Sequence, residues 1–432
     1  MLRERTARIA AVALALASLV ASSQSPCDSE TETAARAVLK VLNGLDSNPS
    51  TDDMETAARA IAHVMDAPLG VLEVVAIGRS PGGPRLRTDQ LRTLELAMPM
   101  LDPRAVVSLV EARVGTRADA AWRRAALELL REHASSRELS LLVTLALGEG
   151  ESQLETFRTA VTAVAQRDQR ILDELERMRH YDRPVKLELV RAIGRARIPG
   201  GPTWLVARIL DSDLTDAALT ELARCADHVG PDEAPTVVAA IRPFLESDHP
   251  ERRRNAMSAL GVMGDAAVVP FLVEALDAPQ SSERSCALSA LRDLSGRSLP
   301  DSADLWRDWY ETETAWWNTE AESSLARLHA ESDADVAAAI RTISMRSLRR
   351  DELARALAAV LRSNRSAPVR SQACAGIERL DSRAVLGDLV DALSDDDDGV
   401  RKAAWSALRA ITELSLPLEA EAWEEALGLP FR

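Results

Sequence analysis

Aromatic side chains and the residues of nucleophilic and metal chemistry are scarce in this sequence. Phe, Tyr and Trp make up 3% of its 432 residues, and there are only six histidines. No histidine belongs to a His-x-x-x-His or His-Glu-x-x-His pattern, so no metal site is indicated. A Gly-x-Ser-x-Gly nucleophile elbow is also missing. We therefore predict that the protein is not an enzyme and that it holds no cofactor and no metal.

The four cysteines are far apart in the sequence, and no two of them form a Cys-x-x-Cys pair. Cys225, Cys286 and Cys374 lie in apolar helical patterns and are predicted to be small buried side chains without a disulfide. Cys27 falls in a predicted tail, where its thiol is expected to be free.

Basic residues are outnumbered by acidic ones, 52 to 67, which gives a net charge of −15. Such a surface repels nucleic acid and anionic lipid, and it favours solubility and basic partners. Apolar residues reach 46% although aromatics are rare. The core is therefore predicted to consist of Ala, Leu and Val, as thin helix pairs require.

The stretch from Pro250 to Asp277 has the pattern of two short helices folded against each other. Gly264 can leave the helical conformation at low cost, and Asp265 is placed to cap the next helix. Pro270 falls near the start of the second apolar run, where its missing N–H costs least. Spacings of 3 and 4 predict one stripe on the first helix: Arg253, Ala256, Leu260, Met263 and Ala267.

This pattern recurs along the chain. A shift of 31 residues leads from Arg253 to Arg284, and the same interval separates Arg370 from Arg401. At each of these positions Ala or Gly and then Leu or Ile follow at the spacing of the first helix. A helix pair of this length cannot bury its apolar face alone, which is the physical reason for repeating it.

These residues resemble the HEAT repeat, in the short bacterial form also found in phycobilin-lyase-like proteins. The resemblance covers roughly residues 117–415 and is clearest from 181 onward. It implies an all-α fold, a right-handed α-solenoid of stacked helical hairpins. The HEAT-repeat iron hydroxylases carry His-Glu pairs as metal ligands, and this chain has none.

Five segments are predicted along the chain. Residues 1–23 form a signal peptide, 24–116 are degenerate repeats that act as a helical cap, and 117–294 are HEAT-like repeats. A Trp-rich helical insertion occupies 295–332, and 333–432 hold further repeats and a C-terminal cap.

The N-terminus has the features of a secretory signal. Arg3, Arg5 and Arg8 precede an apolar run over residues 9–21, which is shorter than the about 20 residues that span a bilayer. A cleavage site is predicted near Ser23, and Cys27 lacks a lipobox before it. We expect an exported protein of the periplasm or extracellular space of a bacterial envelope, with no membrane span after cleavage. An uncleaved anchor is the alternative.

The insertion holds half of the eight tryptophans, and its candidate partner-binding residues are Trp306, Trp309, Tyr310, Trp316 and Trp317. A turn from Gly296 to Pro300 is predicted to lead into a helix with an aromatic face. That face holds Trp306, Trp309, Tyr310 and Trp317, with Glu313 as its one polar exception. Two interpretations remain open. The tryptophans fill gaps in the stack as core side chains, or they form an exposed anchor for a peptide or glycan.

Charged residues at the turns are predicted to serve the fold. The four acids Asp395 to Asp398 precede a helix, where capping explains them better than a calcium loop does. The resemblance to HEAT repeats implies that the recurring arginines form a ladder with the turn acids of neighbouring repeats.

Two functions are considered. The first is a non-enzymatic protein-interaction scaffold outside the cytoplasm, which binds a protein partner but no nucleic acid and is monomeric or weakly self-associating. Its concave face, lined by second helices, would include Glu274 and Asp391. The alternative is a lyase-like or chromophore-handling protein, by analogy with HEAT-repeat lyases.

Overall fold

A computed structural model describes residues 27–79, 85–115, 119–147, 151–177, 181–230, 232–363 and 365–427. These residues form helices and connecting turns, and no strand occurs among them. The chain divides into two compact units between Glu221 and Leu222. The predicted signal peptide and the side chain of Cys27 lie outside the described residues.

The first unit is built from eleven described helices and the start of a twelfth. They are α1 (Cys27–Gly44), α2 (Thr51–Ala62), α3 (Ala67–Arg79), α4 (Thr88–Ala97), α5 (Pro103–Arg113), α6 (Ala120–His133), α7 (Leu139–Ala146), α8 (Glu151–Arg167), α9 (Ile171–Arg177), α10 (Arg183–Ala196), α11 (Gly201–Ile209) and α12 (Thr215–Cys225).

The second unit continues from the end of α12. Its helices are α13 (Ala234–Ile241), α14 (Pro250–Val262), α15 (Val269–Ala275), α16 (Ser281–Ser295), α17 (Ala303–Thr319), α18 (Ala321–Arg327), α19 (Asp333–Ile343), α20 (Arg350–Leu361), α21 (Ala367–Leu380), α22 (Leu386–Asp391), α23 (Asp398–Thr412) and α24 (Ala420–Leu427). A 3₁₀ helix, Arg242–Glu246, follows α13.

Alternate helices stack on one another within each unit. In the first unit α1 packs on α3, α3 on α6, α6 on α8 and α8 on α10; in the second, α14 packs on α16 and α21 on α23. The all-α prediction is confirmed, and the stacked hairpins have α-solenoid architecture. The predicted handedness and the five segment boundaries stay predictions.

The hairpin from Pro250 to Asp277 forms as its turn residues indicate. Gly264 has a φ of 69°, and the Asp265 side chain accepts a hydrogen bond from the backbone N–H of Ala267 at 3.2 Å. Pro270 lies in the first turn of α15. All three predictions about the turn are confirmed.

The predicted stripe on the first helix is too long. Helix α14 ends at Val262, so Met263 and Ala267 lie beyond it, the first half-buried and the second exposed. The physical reason is the turn itself, because the chain leaves the helix before the positive φ of Gly264. Ala256 and Leu260 are buried as predicted.

Helices α14 and α16 approach most closely at Gly261. A Cβ placed there would lie 2.6 Å from the Cβ of Ala290 and 2.8 Å from its Cα. These distances are far below van der Waals contact, so only glycine fits unless the two helices move apart.

The four recurring arginines bind the turn that precedes their own helix. The Nη1 atom of Arg253 donates to the carbonyl oxygen of Ser247 at 2.7 Å, and that of Arg284 donates to Ala278 O at 2.8 Å. In the same way Arg370 binds Arg365 O, and Arg401 binds Asp395 O. These bonds satisfy carbonyl groups that the second helices leave open at their ends.

Two of the arginines also reach forward to an acid of the next repeat, as the ladder prediction requires. Arg370 binds Asp395 with Nε at 2.8 Å and Nη2 at 2.7 Å. Asp397 caps α23 by accepting hydrogen bonds from the N–H groups of Gly399 and Val400. The forward contact is thus present at two of the four arginines, Arg253 and Arg370, and among the four acids Asp397 caps α23 as predicted.

The described cysteines are free thiols in apolar surroundings. Cys225 and Cys374 are buried, and Cys286 is half-buried with its thiol directed at the carbonyl oxygen of Arg254. Burial raises the pKa of the Cys374 thiol to about 12. The predicted burial is thus confirmed for Cys225 and Cys374, whereas Cys286 is only half-buried.

Among the described residues no single helix has both the length and the apolar character to cross a bilayer. Thr51–Ala62 and Ala67–Gly78 reach that composition only together, as a pair bent by 120°.

Candidate protein-binding cleft

A cleft of about 510 Å³ opens in the second unit at the ends of the Arg242–Glu246 helix and of α15, beside α14 and α16. We call it the α15 cleft. Its walls come from the Arg242–Glu246 helix, α14, α15 and the start of α16. The lining residues are Leu245, Glu246, Arg253, Met257, Phe271, Glu274, Ala275, Asp277, Ala278 and Glu283.

The charged part of the lining contains a tight ion pair. The guanidinium of Arg253 binds the Glu283 carboxylate in a bidentate manner, at 2.7 and 2.9 Å, while its third nitrogen donates to Ser247 O. Glu283 is buried, and the bonds from Arg253 hold the pKa of this carboxyl below its ordinary value. The pair connects α14 to α16, and each of the three guanidinium nitrogens of Arg253 donates a hydrogen bond to Glu283 or to Ser247 O.

Three further carboxylates, those of Glu246, Glu274 and Asp277, are exposed at the cleft. No ion pair in the described part of the chain includes any of them. Because Arg253 and Glu283 neutralise each other, the cleft carries three uncompensated negative charges. Such a concentration of one sign attracts cations to the cleft.

Apolar surface is exposed in the same place. The side chain of Phe271 is 41% exposed although it is a large hydrophobic residue. Leu245 beside it is half-buried, and Met257 is buried. An exposed aromatic residue next to unpaired charges is characteristic of interaction surfaces, where aromatic side chains provide most of the contact area.

A second cleft, in the first unit, shows that this charge is not a general property of the repeats. It encloses about 420 Å³ and contains an ion pair between consecutive stacked helices, Arg158 with Glu188 at 3.0 Å. The remaining charges of that cleft are paired, since Arg191 binds Glu188 and Arg183 faces Asp213 at 3.6 Å. Unpaired acids distinguish the α15 cleft.

The aromatic candidates of the insertion lie on α17, mostly in the core. Trp306, Trp309 and Trp316 are buried, while Tyr310 and Trp317 are half-buried. The predicted turn and helix are present, with Gly296 at a φ of 64°. The predicted aromatic face is shifted, because Trp316 is buried more deeply than Trp317.

Three indole N–H groups of this cluster donate hydrogen bonds to acceptors within the protein. The indole N–H of Trp306 donates to Pro300 O at 3.0 Å, and that of Trp309 donates to Ser347 Oγ at 2.9 Å. Trp317 donates to Leu348 O at 3.3 Å. The cluster thereby fixes the turn between α19 and α20, a role in the core; its use in binding stays a prediction.

The two acidic candidates lie in different places. Glu274 lines the α15 cleft. Asp391 occupies the corresponding position 117 residues later, at the end of α22, where it is exposed but does not line that cleft. The sequence register is confirmed, and the shared binding face remains a prediction.

Sequence reasoning missed two groups of residues. The first is Phe271, on the same helix as Glu274, together with Leu245 and Glu246, which meet Glu274 only after two hairpins stack. The second is Glu313, whose Oε2 accepts hydrogen bonds from the N–H groups of Ser347 at 3.0 Å and Leu348 at 3.1 Å. In the sequence Glu313 is the polar exception on an aromatic face, and this exception is the signal that could have identified it.

Comparison with known proteins gives a family and distant structural likenesses. The family model for HEAT repeats matches residues 205–292 and 353–427. No curated protein matches the chain in sequence.

Among solved structures, importin beta in an ammonium sulfate condition is 12% identical, with 90% of this chain and 59% of that chain covered and a TM-score of 0.36. The Kap95:Nup1 complex is 12% identical, with 86% of this chain and 67% of that chain covered and a TM-score of 0.37. Human deoxyhypusine hydroxylase in complex with glycerol is 17% identical, with 72% of this chain and 97% of that chain covered and a TM-score of 0.21. The chain thus spans 59% of the length of the importin beta it matches.

The second family match begins inside α20, and both matches contain arginines of the ladder. The resemblance to HEAT repeats is thereby confirmed for these two stretches, while the short bacterial form and its extent over residues 117–204 stay predictions. The chain contains HEAT repeats, in residues 205–292 and 353–427.

Proposed function

We propose that this protein is a non-enzymatic interaction scaffold that binds a protein partner through the α15 cleft and works outside the cytoplasm. The observation that carries the proposal is the α15 cleft itself, with exposed Phe271 beside three unpaired carboxylates. HEAT-repeat architecture supports the proposal at the level of fold, because stacked helix pairs form extended surfaces on which other proteins bind.

Site-specific photo-crosslinking in cells tests the proposed binding site. A photoreactive phenylalanine analogue replaces Phe271 or Glu274, and a matched control places it at exposed Asp391. We expect a discrete covalent adduct with one protein from positions 271 and 274 and none from 391. Absence of an adduct at 271 and 274, or a co-purifying pigment in place of a protein, contradicts the proposal.

The location outside the cytoplasm rests on the N-terminal sequence, with its arginines and short apolar run. Cell fractionation followed by N-terminal sequencing of the mature protein tests it. We expect a periplasmic or secreted form that begins near residue 24. A cytoplasmic protein with an intact N-terminus contradicts this part of the proposal and leaves the binding site unaffected.

A further inference from the structure

The chemistry of the α15 cleft restricts what it accepts. The cleft offers carboxylates from Glu246, Glu274 and Asp277 and no unpaired cation, because Arg253 is engaged by Glu283 and Ser247 O. An acidic segment entering here would meet repulsion, and a neutral segment would bury carboxylates without a partner. A cationic group is the complement of this cleft.

The position of Phe271 adds a second restriction. Phe271 and Glu274 are three residues apart on α15, so their side chains are neighbours on one face of the helix. A planar guanidinium can bind a carboxylate through two N–H groups while its face lies on an aromatic ring. A lysine ammonium is a compact charge that can bind the carboxylate but has no planar face to lie on the ring. This pair of residues therefore favours arginine over lysine.

The aromatic residue is specific to this repeat. The position that corresponds to Phe271, 117 residues later, is Asp388, which is bound by Arg362. The repeat at α22 therefore keeps the acid at Asp391 but has neither the ring nor an uncompensated neighbouring charge. A surface that bound cations by general acidity alone would not distinguish the two repeats.

Resting on the proposed function, we infer that the partner inserts a short segment with an arginine next to an apolar side chain into the α15 cleft. The arginine binds Glu274 and lies on Phe271, and the apolar side chain packs on Leu245 and Met257. At about 510 Å³ the cleft encloses only a few side chains, since sites of this volume hold ligands of drug size. The occupant is therefore a short segment and not a folded domain.

Fluorescence anisotropy with the full mature chain tests the inference. The probe is a fluorescein-labelled peptide of alternating arginine and leucine, compared with versions that carry lysine or glutamate for arginine, or glycine for leucine. We expect the arginine–leucine peptide to bind most tightly and the glutamate version not to bind. Raising salt from about 50 to about 300 mM should weaken binding, because exposed charges are screened.

Variants locate the binding. Glu274→Lys and Phe271→Ala should each weaken the arginine–leucine peptide by about tenfold, which corresponds to about 1.4 kcal/mol. The control Glu425→Lys, at an exposed acid on α24, should change its affinity less than about twofold. Thermal unfolding of each variant shows that these exposed substitutions leave the fold intact.

The outcomes separate this inference from the function on which it rests. Equal loss in Glu274→Lys and Glu425→Lys, or equal binding of the lysine and arginine peptides, overturns the inference even when position 271 crosslinks to a partner. If position 271 yields no adduct, the proposed function fails instead.

Discussion

Replacing Arg370 by alanine tests how the repeats are held together. Arg370 donates two hydrogen bonds to Asp395 and a third to Arg365 O, and it thereby connects α21 with the turn before α23. The side chains are 17% and 13% exposed. The substitution removes all three bonds and leaves a partly buried carboxylate without its counter-ion.

The magnitude follows from burial. Removing one partner of a fully buried pair costs about 3–5 kcal/mol, whereas an exposed pair contributes less than about 1 kcal/mol. For a pair about six-sevenths buried we expect a loss of about 2–3 kcal/mol. In a unit of this size that loss corresponds to a fall in melting temperature of roughly 5–10 °C.

The assay is thermal and chemical unfolding followed by circular dichroism. Arg355→Ala is the matched control, because Arg355 is an exposed arginine on neighbouring α20, and we expect its stability to stay within about 0.5 kcal/mol of wild type. Equal melting curves for wild type and Arg370→Ala would refute the role assigned to the ladder.

The same pair predicts a pH dependence. The hydrogen bonds from Arg370 lower the pKa of Asp395 from its ordinary value of 3.8. A lowered folded-state pKa means that the contribution to stability is complete above pH 3.8 and is lost as the pH falls through the folded value. The stability difference between wild type and Arg370→Ala should therefore be constant near neutral pH and shrink below pH 3.8. A difference that grows on acidification contradicts this sign.

Two further substitutions test contacts that the repeat pattern does not show. Gly261→Ala should lower stability by about 1–3 kcal/mol in denaturant titration, because the new methyl group overlaps Ala290, whereas Gly387→Ala, with open space around it, should be neutral or slightly stabilising. Glu313→Ala should lower stability by about 2–4 kcal/mol, since two buried N–H groups lose their acceptor. Glu311→Ala, exposed on the same helix, should have little effect, and equal losses for both glutamates would contradict the role of Glu313.

Local structure was predictable where the responsible residues are close in sequence. The turn of the Pro250–Asp277 hairpin depends on Gly264 and Asp265 themselves, and the capping by Asp397 depends on N–H groups two and three residues away. Such preferences act within one turn of chain, so a single sequence contains the information. The length of the first-helix stripe was wrong because periodicity continues in the sequence after the helix has ended.

Contacts between elements distant in sequence were less predictable. Gly261 is needed because Ala290 leaves no space for a side chain there, and Glu313 is needed because it accepts hydrogen bonds from Ser347 and Leu348. The spacing of residues within one helix does not reveal these partners. The aromatic candidates show the same limit, because burial of Trp316 in place of Trp317 depends on how α17 is rotated against its neighbours. Glu274 was predicted from register alone, but the α15 cleft also needs Leu245 and Phe271, which come from two different hairpins.

Hydrogen–deuterium exchange of the full chain, with and without the partner captured at position 271, tests the central claim most directly. The account predicts that bound partner slows exchange in Arg242–Glu246 and Val269–Ala275, while Leu386–Asp391 exchanges as in the unbound protein. Protection confined to Leu386–Asp391 or to the helices of the first unit would contradict it.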